Sequence, residues 1–279
     1  MNQHIKALKK ACDELDVSYQ EIGGSKVFLT VSTQDHPVYF IANEVPFNNH
    51  IVSRIVKDKG YTHELLSDVV RMPKTQSFID PNCEELFKPY LKYKTLDDVA
   101  NAVVEQFSFP VILKKNTGSQ GVNVFRCHSR EEVMAAAQVI YNQSYVEYDH
   151  VMLAQENIAV QREYRVTVFQ KEVVLIYEKD FSQAKFIGNL SPLHWEGAQA
   201  TIIDDEQLRL RIKAFVAPIF DKLDLQYGGL DIAIDSNDHM CLFEINATPA
   251  YNYLIESKGD LPLVELYKKM LHKLLSNAC

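Results

Sequence analysis

Long apolar runs are missing from this sequence. None approaches the roughly 18 residues of a membrane span. The N-terminus, Met1 to Val17, carries Lys6, Lys9, Lys10, Asp13 and Glu14 where a signal peptide needs an unbroken apolar segment. A cytoplasmic protein with no membrane partner is expected. The five cysteines (Cys12, Cys83, Cys127, Cys241, Cys279) are odd in number and never in CxxC or metal-knuckle spacing, so reduced thiols are the plain reading. Nine histidines without HxH or HExxH pairing leave zinc without support. Basic residues are the minority: 29 Lys and Arg against 37 Asp and Glu give a formal charge of −8, which speaks against nucleic acid as a partner. Glycine is scarce, ten in 279 residues, about half its usual share of roughly 7%, so each glycine cluster should have a backbone reason.

What remains is 47% hydrophobic and 24% charged, a globular chain large enough for a sizeable core and two or three subdomains. Disorder, collagen and coiled coil are excluded. Ile5, Leu8, Cys12 and Leu15 predict an amphipathic first helix. Lys26–Val31 and Pro37–Ala42, joined by Ser32–His36, predict a hairpin. Helices are expected over Asn48–Leu66, Leu96–Phe107, Val133–Tyr141, Asp205–Leu223 and Leu261–Ser276, with a capping box at Ser129–Glu132. Strands are expected at Phe109–Leu113, Val122–Cys127, Val151–Gln155, Tyr164–Gln170, Glu172–Glu178, Leu230–Asp235 and Met240–Ile245, and an irregular stretch at Asp180–Ala200. Largely antiparallel strands mixed with helices define an α+β protein.

Three constellations carry chemistry. Lys114-Lys-Asn-Thr-Gly-Ser-Gln-Gly121 follows a strand; Gly118 and Gly121 let the loop aim N–H groups at an anion, and Thr117 and Ser119 add hydroxyls. It is neither a Walker A loop nor GxGxxG, and alone it reads equally well as a polar turn. Asp231, Glu244 and Asn246 lie on two strands expected to pair around Asn237-Asp238. Alternation puts Glu244 and Asn246 on one face, with Asp231 opposite them. Two carboxylates and an amide oxygen make a hard site suited to Mg²⁺ with phosphate, whereas an unpaired acid within Leu242-Phe-Glu-Ile-Asn246 would be a costly buried charge. Gln155-Glu-Asn-Ile158 and then Arg162-Glu-Tyr-Arg-Val166 read alone as a charged connection between strands.

In this order the three resemble the ATP-grasp superfamily of carboxylate ligases from about Val52 onward. Asp58-Lys59, Thr62, Leu65-Leu66 and Met72-Pro73-Lys-Thr75 resemble its opening segment. The resemblance implies an α+β ATP-grasp fold with two α/β subdomains sandwiching the nucleotide. Its divisions are a truncated segment 1–51, carrying the helix and hairpin, and a grasp domain 52–279, with a lid at about 108–155 and a metal-binding part at about 156–279. It assigns Lys59 and Lys114 to ATP phosphates, and Gly118, Ser119, Gln120 and Gly121 to the lid. Gln155, Glu156, Asn157 and Ile158 would hold adenine, and Glu163 the ribose. Asp231, Glu244 and Asn246, 13 and then 2 residues apart, would bind two Mg²⁺ ions, with Mn²⁺ as a substitute. Lys179 would face the γ-phosphate and Asn189 the substrate.

The implied activity joins a small-molecule or peptide carboxylate to an amine through an acylphosphate, releasing ADP and phosphate. A non-catalytic ATP-binding regulator of the same fold is the alternative, and a homodimer is compatible with the resemblance. Gly229 stands where D-alanine:D-alanine ligases have arginine, and Tyr227-Gly-Gly-Leu-Asp231 is closer to the glutamate ligase, cyanophycin synthetase and glutathione synthetase branch. Trp195, Tyr251 and Tyr253 are candidates for the acceptor pocket or for the core.

Overall fold

The computed structural model describes residues 2–33, 36–145 and 148–276. Cys279, and Gln34 and Asp35 of the expected hairpin turn, lie outside the described residues. Helix α1 (Gln3–Glu14) starts where the Asn2 side chain accepts from the His4 and Ile5 N–H groups. Its stripe of Ile5, Leu8 and Cys12 is fully buried. The hairpin gains a third strand. β1 (Tyr19–Glu21) pairs with β2 (Phe28–Val31), which pairs with β3 (Val38–Ile41), all antiparallel.

The single helix expected over Asn48–Leu66 is two, α2 (His50–Lys57) and α3 (Lys59–Leu66). Asp58 between them is extended (φ −90°, ψ 105°), ends α2, and caps α3 by accepting from the Tyr61 N–H. A short side chain that bonds local backbone competes with helix continuation. The break puts Lys59 on the first turn of α3. Next come β4 (Thr75–Ile79), hidden in the sequence behind Pro73, and α4 (Leu96–Gln106). β5 (Val111–Lys115), β6 (Phe125–Cys127), α5 (Arg130–Ile140) and β7 (Val151–Glu156) complete this part. The strands form one antiparallel sheet ordered β4-β7-β5-β6. Ser129 caps α5 as expected, but the returning bond from Glu132 goes to the His128 N–H, not to Ser129. The reciprocal capping box belongs instead to Thr95 and Asp98 on α4.

The second half holds β8 (Val160–Phe169), β9 (Glu172–Asp180) and β10 (Gln199–Ile202), with a 3-10 turn at Pro192–His194 inside the irregular stretch. The helix expected over Asp205–Leu223 is split by Pro218, which cannot donate to the helix ladder, into α6 (Glu206–Val216) and α7 (Ile219–Lys222). β11 (Tyr227–Asp235), β12 (Met240–Asn246), α8 (Asn252–Lys258) and α9 (Leu261–Ser276) follow. The five-stranded antiparallel sheet runs β10-β9-β8-β11-β12. One face joins Phe169, Tyr177 and Tyr227 to α1, α9 and the N-terminal sheet. The other joins Val166, Leu230 and Ile232 to α2, α3 and α6. With both faces covered, every residue of β11 is buried. The four-stranded sheet has a separate core with α4 and α5 around Phe78, Val103 and Leu113. No helix among the described residues is long and apolar enough to cross a membrane. Cys12, Cys83, Cys127 and Cys241 are buried free thiols.

Candidate functional site

A cleft of about 1080 Å³ gathers residues from both larger sheets, including Lys59, Lys114, Gln155–Ile158, Glu163, Asp231, Glu244 and Asn246. Its floor is set by strand register. Asp231 on β11 pairs directly with Glu244 on β12, beside a bulge that leaves Phe243 out of the ladder and shifts the alternation there. Asn246, two residues on, lines the cleft and donates from Nδ2 to Glu244 Oε1 at 3.0 Å, which leaves its side-chain oxygen free of that bond. On the other side Asp231 faces Arg165 of β8. Arg165 grips it in a fork, Nε to Oδ1 at 2.5 Å and NH2 to Oδ2 at 3.1 Å. Lys179 Nζ lies 3.0 Å from Asp231 Oδ2 and also binds Glu163 Oε1.

The charges are matched but crowded. Burial opposes charge on Lys179, yet Asp231 and Glu163 outweigh it and raise its pKa above the usual lysine range. For Glu244, burial would raise the carboxyl, but Lys59 and Lys114, with the Asn246 amide, hold it well below the carboxylate range. Lys59 Nζ stands 3.4 Å from Glu244 Oε2 and donates to the Gly118 carbonyl at 2.5 Å. Lys114 is drawn down to about 8 by burial and by Lys59. It donates to Gln155 Oε1 at 2.8 Å, while Gln155 Nε2 donates to Thr75 Oγ1 at 2.9 Å. The Gln155 side chain thus holds a lysine, a part beyond the one expected of it.

The donor set fits magnesium. Asp231, Glu244 and Asn246 offer hard oxygens with two negative charges. A carboxylate has about four lone-pair positions, so the three contacts from Arg165 and Lys179 still leave Asp231 one.

The glycine loop closes the cleft from above. Thr117 donates from both N–H (2.8 Å) and hydroxyl (2.7 Å) to Asp149 Oδ2, and Gly60 N–H donates to Asn116 Oδ1, so the loop's first residues are pinned. Gly118, Ser119, Gln120 and Gly121 line the cleft. Gly121 has φ +69°, and a Cβ there would stand 2.1 Å from Asn189 Oδ1, so any other residue would be strained and would push the Asn189 side chain away. Asn189 donates from Nδ2 to the Gln120 carbonyl at 3.0 Å, and its own carbonyl accepts from Trp195 Nε1 at 2.6 Å. The expected substrate-side asparagine therefore touches the lid.

The hinge expected at Gln155–Ile158 runs from the end of β7 into the loop before β8. Glu156 is tied to Lys74 through both backbones and through its carboxylate. Tyr251 is fully buried and bonds Thr167, whereas Trp195 and Tyr253 line the cleft.

Arg165 is the residue that sequence reasoning missed. The alternation that turns Glu163 inward turns Arg165 inward as well, and this was the available signal. Its presence also explains Gly229: a Cβ there would meet Pro249 Cβ at 2.7 Å and Arg165 Cδ at 2.9 Å.

Two sheets closing on a cleft, lysines beneath a glycine loop and acids on paired strands make an arrangement that can hold a nucleotide's phosphates. A family model for RimK-like ATP-grasp domains matches residues 75–271, and the chain belongs to that family. An uncharacterized protein, MG012 of Mycoplasma genitalium, is 23% identical over 269 residues, covering 88% of this chain and 85% of that one. Among solved structures, a RiPP-associated ATP-grasp ligase of Chryseobacterium gregarium, in complex with ADP and a leader and core peptide, superposes with a TM-score of 0.59. It is 13% identical, covering 98% of this chain and 94% of that one. A bifunctional glutathione synthetase of Pasteurella multocida gives the same TM-score at 13% identity; this chain, 98% covered, spans 43% of that enzyme's length. The fold is ATP-grasp.

Proposed function

We propose that this protein is an ATP- and Mg²⁺-dependent ligase that joins a carboxylate to an amine through an acylphosphate. The observation that carries the reading is the convergence of four cations, Lys59, Lys114, Arg165 and Lys179, with Asp231, Glu244 and Asn246 in one cleft under a glycine lid. Phosphoryl transfer asks little covalent help of a protein; it asks for positioning and for neutralised charge. Lys59 and Lys114 hold phosphate oxygens, and the lid at Gly118–Gly121 supplies backbone donors. Gln155–Ile158 receive adenine, with Glu163 near the ribose. Magnesium held by Asp231, Glu244 and Asn246 would neutralise charge on the phosphates.

Arg165 supplies the bidentate fork that Lys179 lacks, and it occupies the space left by Gly229, where D-alanine:D-alanine ligases place an arginine on the neighbouring strand. In this reading residues 52–279 are the grasp domain, with the lid at about 108–155, and residues 1–51 the segment ahead of it. Asn43 of that segment lines the cleft and donates to the Thr248 carbonyl at 2.6 Å, which supports a part for it in acceptor binding.

The test has two arms. Thermal unfolding is compared with MgATP, with ATP plus EDTA, and with neither; saturation at about 100 times Kd adds roughly 2.7 kcal/mol, and no metal-dependent shift would contradict the nucleotide site. Phosphate release is then followed over a panel of amino acids, small diacids and peptides. Release that needs both an acid and an amine supports ligation. Binding without release across the panel supports the regulatory alternative.

A further inference from the structure

The cleft also holds a base committed to no acidic or basic partner. His194 closes the turn Pro192–His194 and lines the cleft together with Tyr253 and Lys179. Its Nδ1 lies 2.9 Å from the Tyr253 hydroxyl, and the two rings meet edge to face, 5.4 Å between centroids and 81° between planes. Nε2 has no protein partner among the described residues. The charged groups facing this pair are Lys179 from β9 and Glu256, three residues beyond Tyr253 on α8. Burial, and then Lys179, lower the basicity of the imidazole, so it is neutral at physiological pH.

The acids of the cleft are otherwise engaged. Glu163 and Asp231 bind Lys179 and Arg165, Glu244 binds Lys59 and Asn246, and Glu156 binds the Lys74 N–H. Glu256 is exposed at the rim.

We infer that His194 takes the proton from the incoming amine, with Tyr253 as its positioning residue; this rests on the ligase reading above. Nδ1–H donates to the Tyr253 oxygen, which leaves the lone pair of Nε2 toward the cleft. An alkylammonium gives one proton to Nε2, and the freed nitrogen lone pair forms the C–N bond at the acylphosphate carbonyl. The carbon–oxygen bond to phosphate breaks with its electron pair going to phosphate, which takes the second nitrogen proton. The acceptor class is thus an amine that arrives protonated, an α-amino or ε-amino group.

Hydroxylamine, which is unprotonated at neutral pH, separates this step from acylphosphate formation. Wild type, His194→Gln and Tyr253→Phe are assayed with a panel of amino acids and short acidic peptides as acids, and with either hydroxylamine or an amino-acid panel as acceptor. The ratio of amide to hydroxamate is expected to fall about 10²-fold in His194→Gln, with the gap narrowing as rising pH deprotonates the amine. In Tyr253→Phe the ratio falls in the same direction by less. An unchanged ratio in both variants, a gap independent of pH, or a wild type that makes hydroxamate but no amide overturns the assignment to His194. A wild type that makes no acid-dependent hydroxamate overturns the ligase reading itself.

Discussion

At Glu244 three separate cations or donors converge on one carboxylate, so its charge is held by Lys59, Lys114 and Asn246 even without a ligand. Glu244→Gln keeps the shape and removes the charge. Turnover should fall by at least about 10²-fold while circular dichroism and melting stay near wild type, and near-normal activity would contradict the assigned role. Lys114 gives a pH signature. Its pKa in the free protein is lowered to about 8 by burial and Lys59. Phosphate prefers the protonated form, so MgATP affinity is full below about pH 8 and declines as pH rises through it, by up to tenfold per unit. Calorimetric titration across that range checks this, and Lys114→Arg should flatten the profile. Asp231, Glu244 and Asn246 were legible because acids among apolar strand residues need a reason. Arg165 was not, because Arg162-Glu163-Tyr164-Arg165 reads as a charged connection between strands until the strand register turns Arg165 inward.

Among the elements, the break between α2 and α3 was invisible to hydrophobic spacing, which runs on through Asp58. The cap is what breaks it. Asp58→Ala should cost about 1 kcal/mol in chemical denaturation, while Asp58→Asn, which caps as well, should cost much less; equal losses would contradict the capping account. The lid was readable as a glycine loop, but its contact with Asn189 was not, because 69 residues separate Gln120 from Asn189. Gly121→Ala meets left-handed backbone strain of about 1–2 kcal/mol and the Asn189 amide. It should therefore raise the KM for ATP roughly tenfold, and an unchanged KM would show that the loop opens freely of Asn189. Short strands such as β1 and β4 escaped notice because three to five residues beside charge or proline carry too little alternation.

On the scale of the whole molecule, the α+β class and the order of functional segments were legible, since each segment has its own local signature. The way the N-terminal segment joins the rest was not. There His4 of α1 sits buried against α9, with Nδ1 3.0 Å from the Tyr267 hydroxyl and Nε2 without a partner among the described residues. Burial lowers its pKa to about 4 from 6.5. Above pH 6.5 the imidazole is neutral in both the folded and unfolded states. As pH falls from 6.5 to about 4 only the unfolded state takes up the proton, so stability drops by about 3 kcal/mol in total. Urea unfolding at intervals over that range should show the loss, and His4→Phe should remove most of it; a wild-type profile in the variant would place the pH dependence elsewhere.

The central claim, ligation through an acylphosphate in this cleft, is tested most directly by isotope transfer. The acid that supports phosphate release is supplied with ¹⁸O in its carboxylate, together with MgATP and the amine, and the phosphate is analysed by mass spectrometry. The account predicts one labelled oxygen in each phosphate released. Phosphate without label, released alongside amide product, would contradict it.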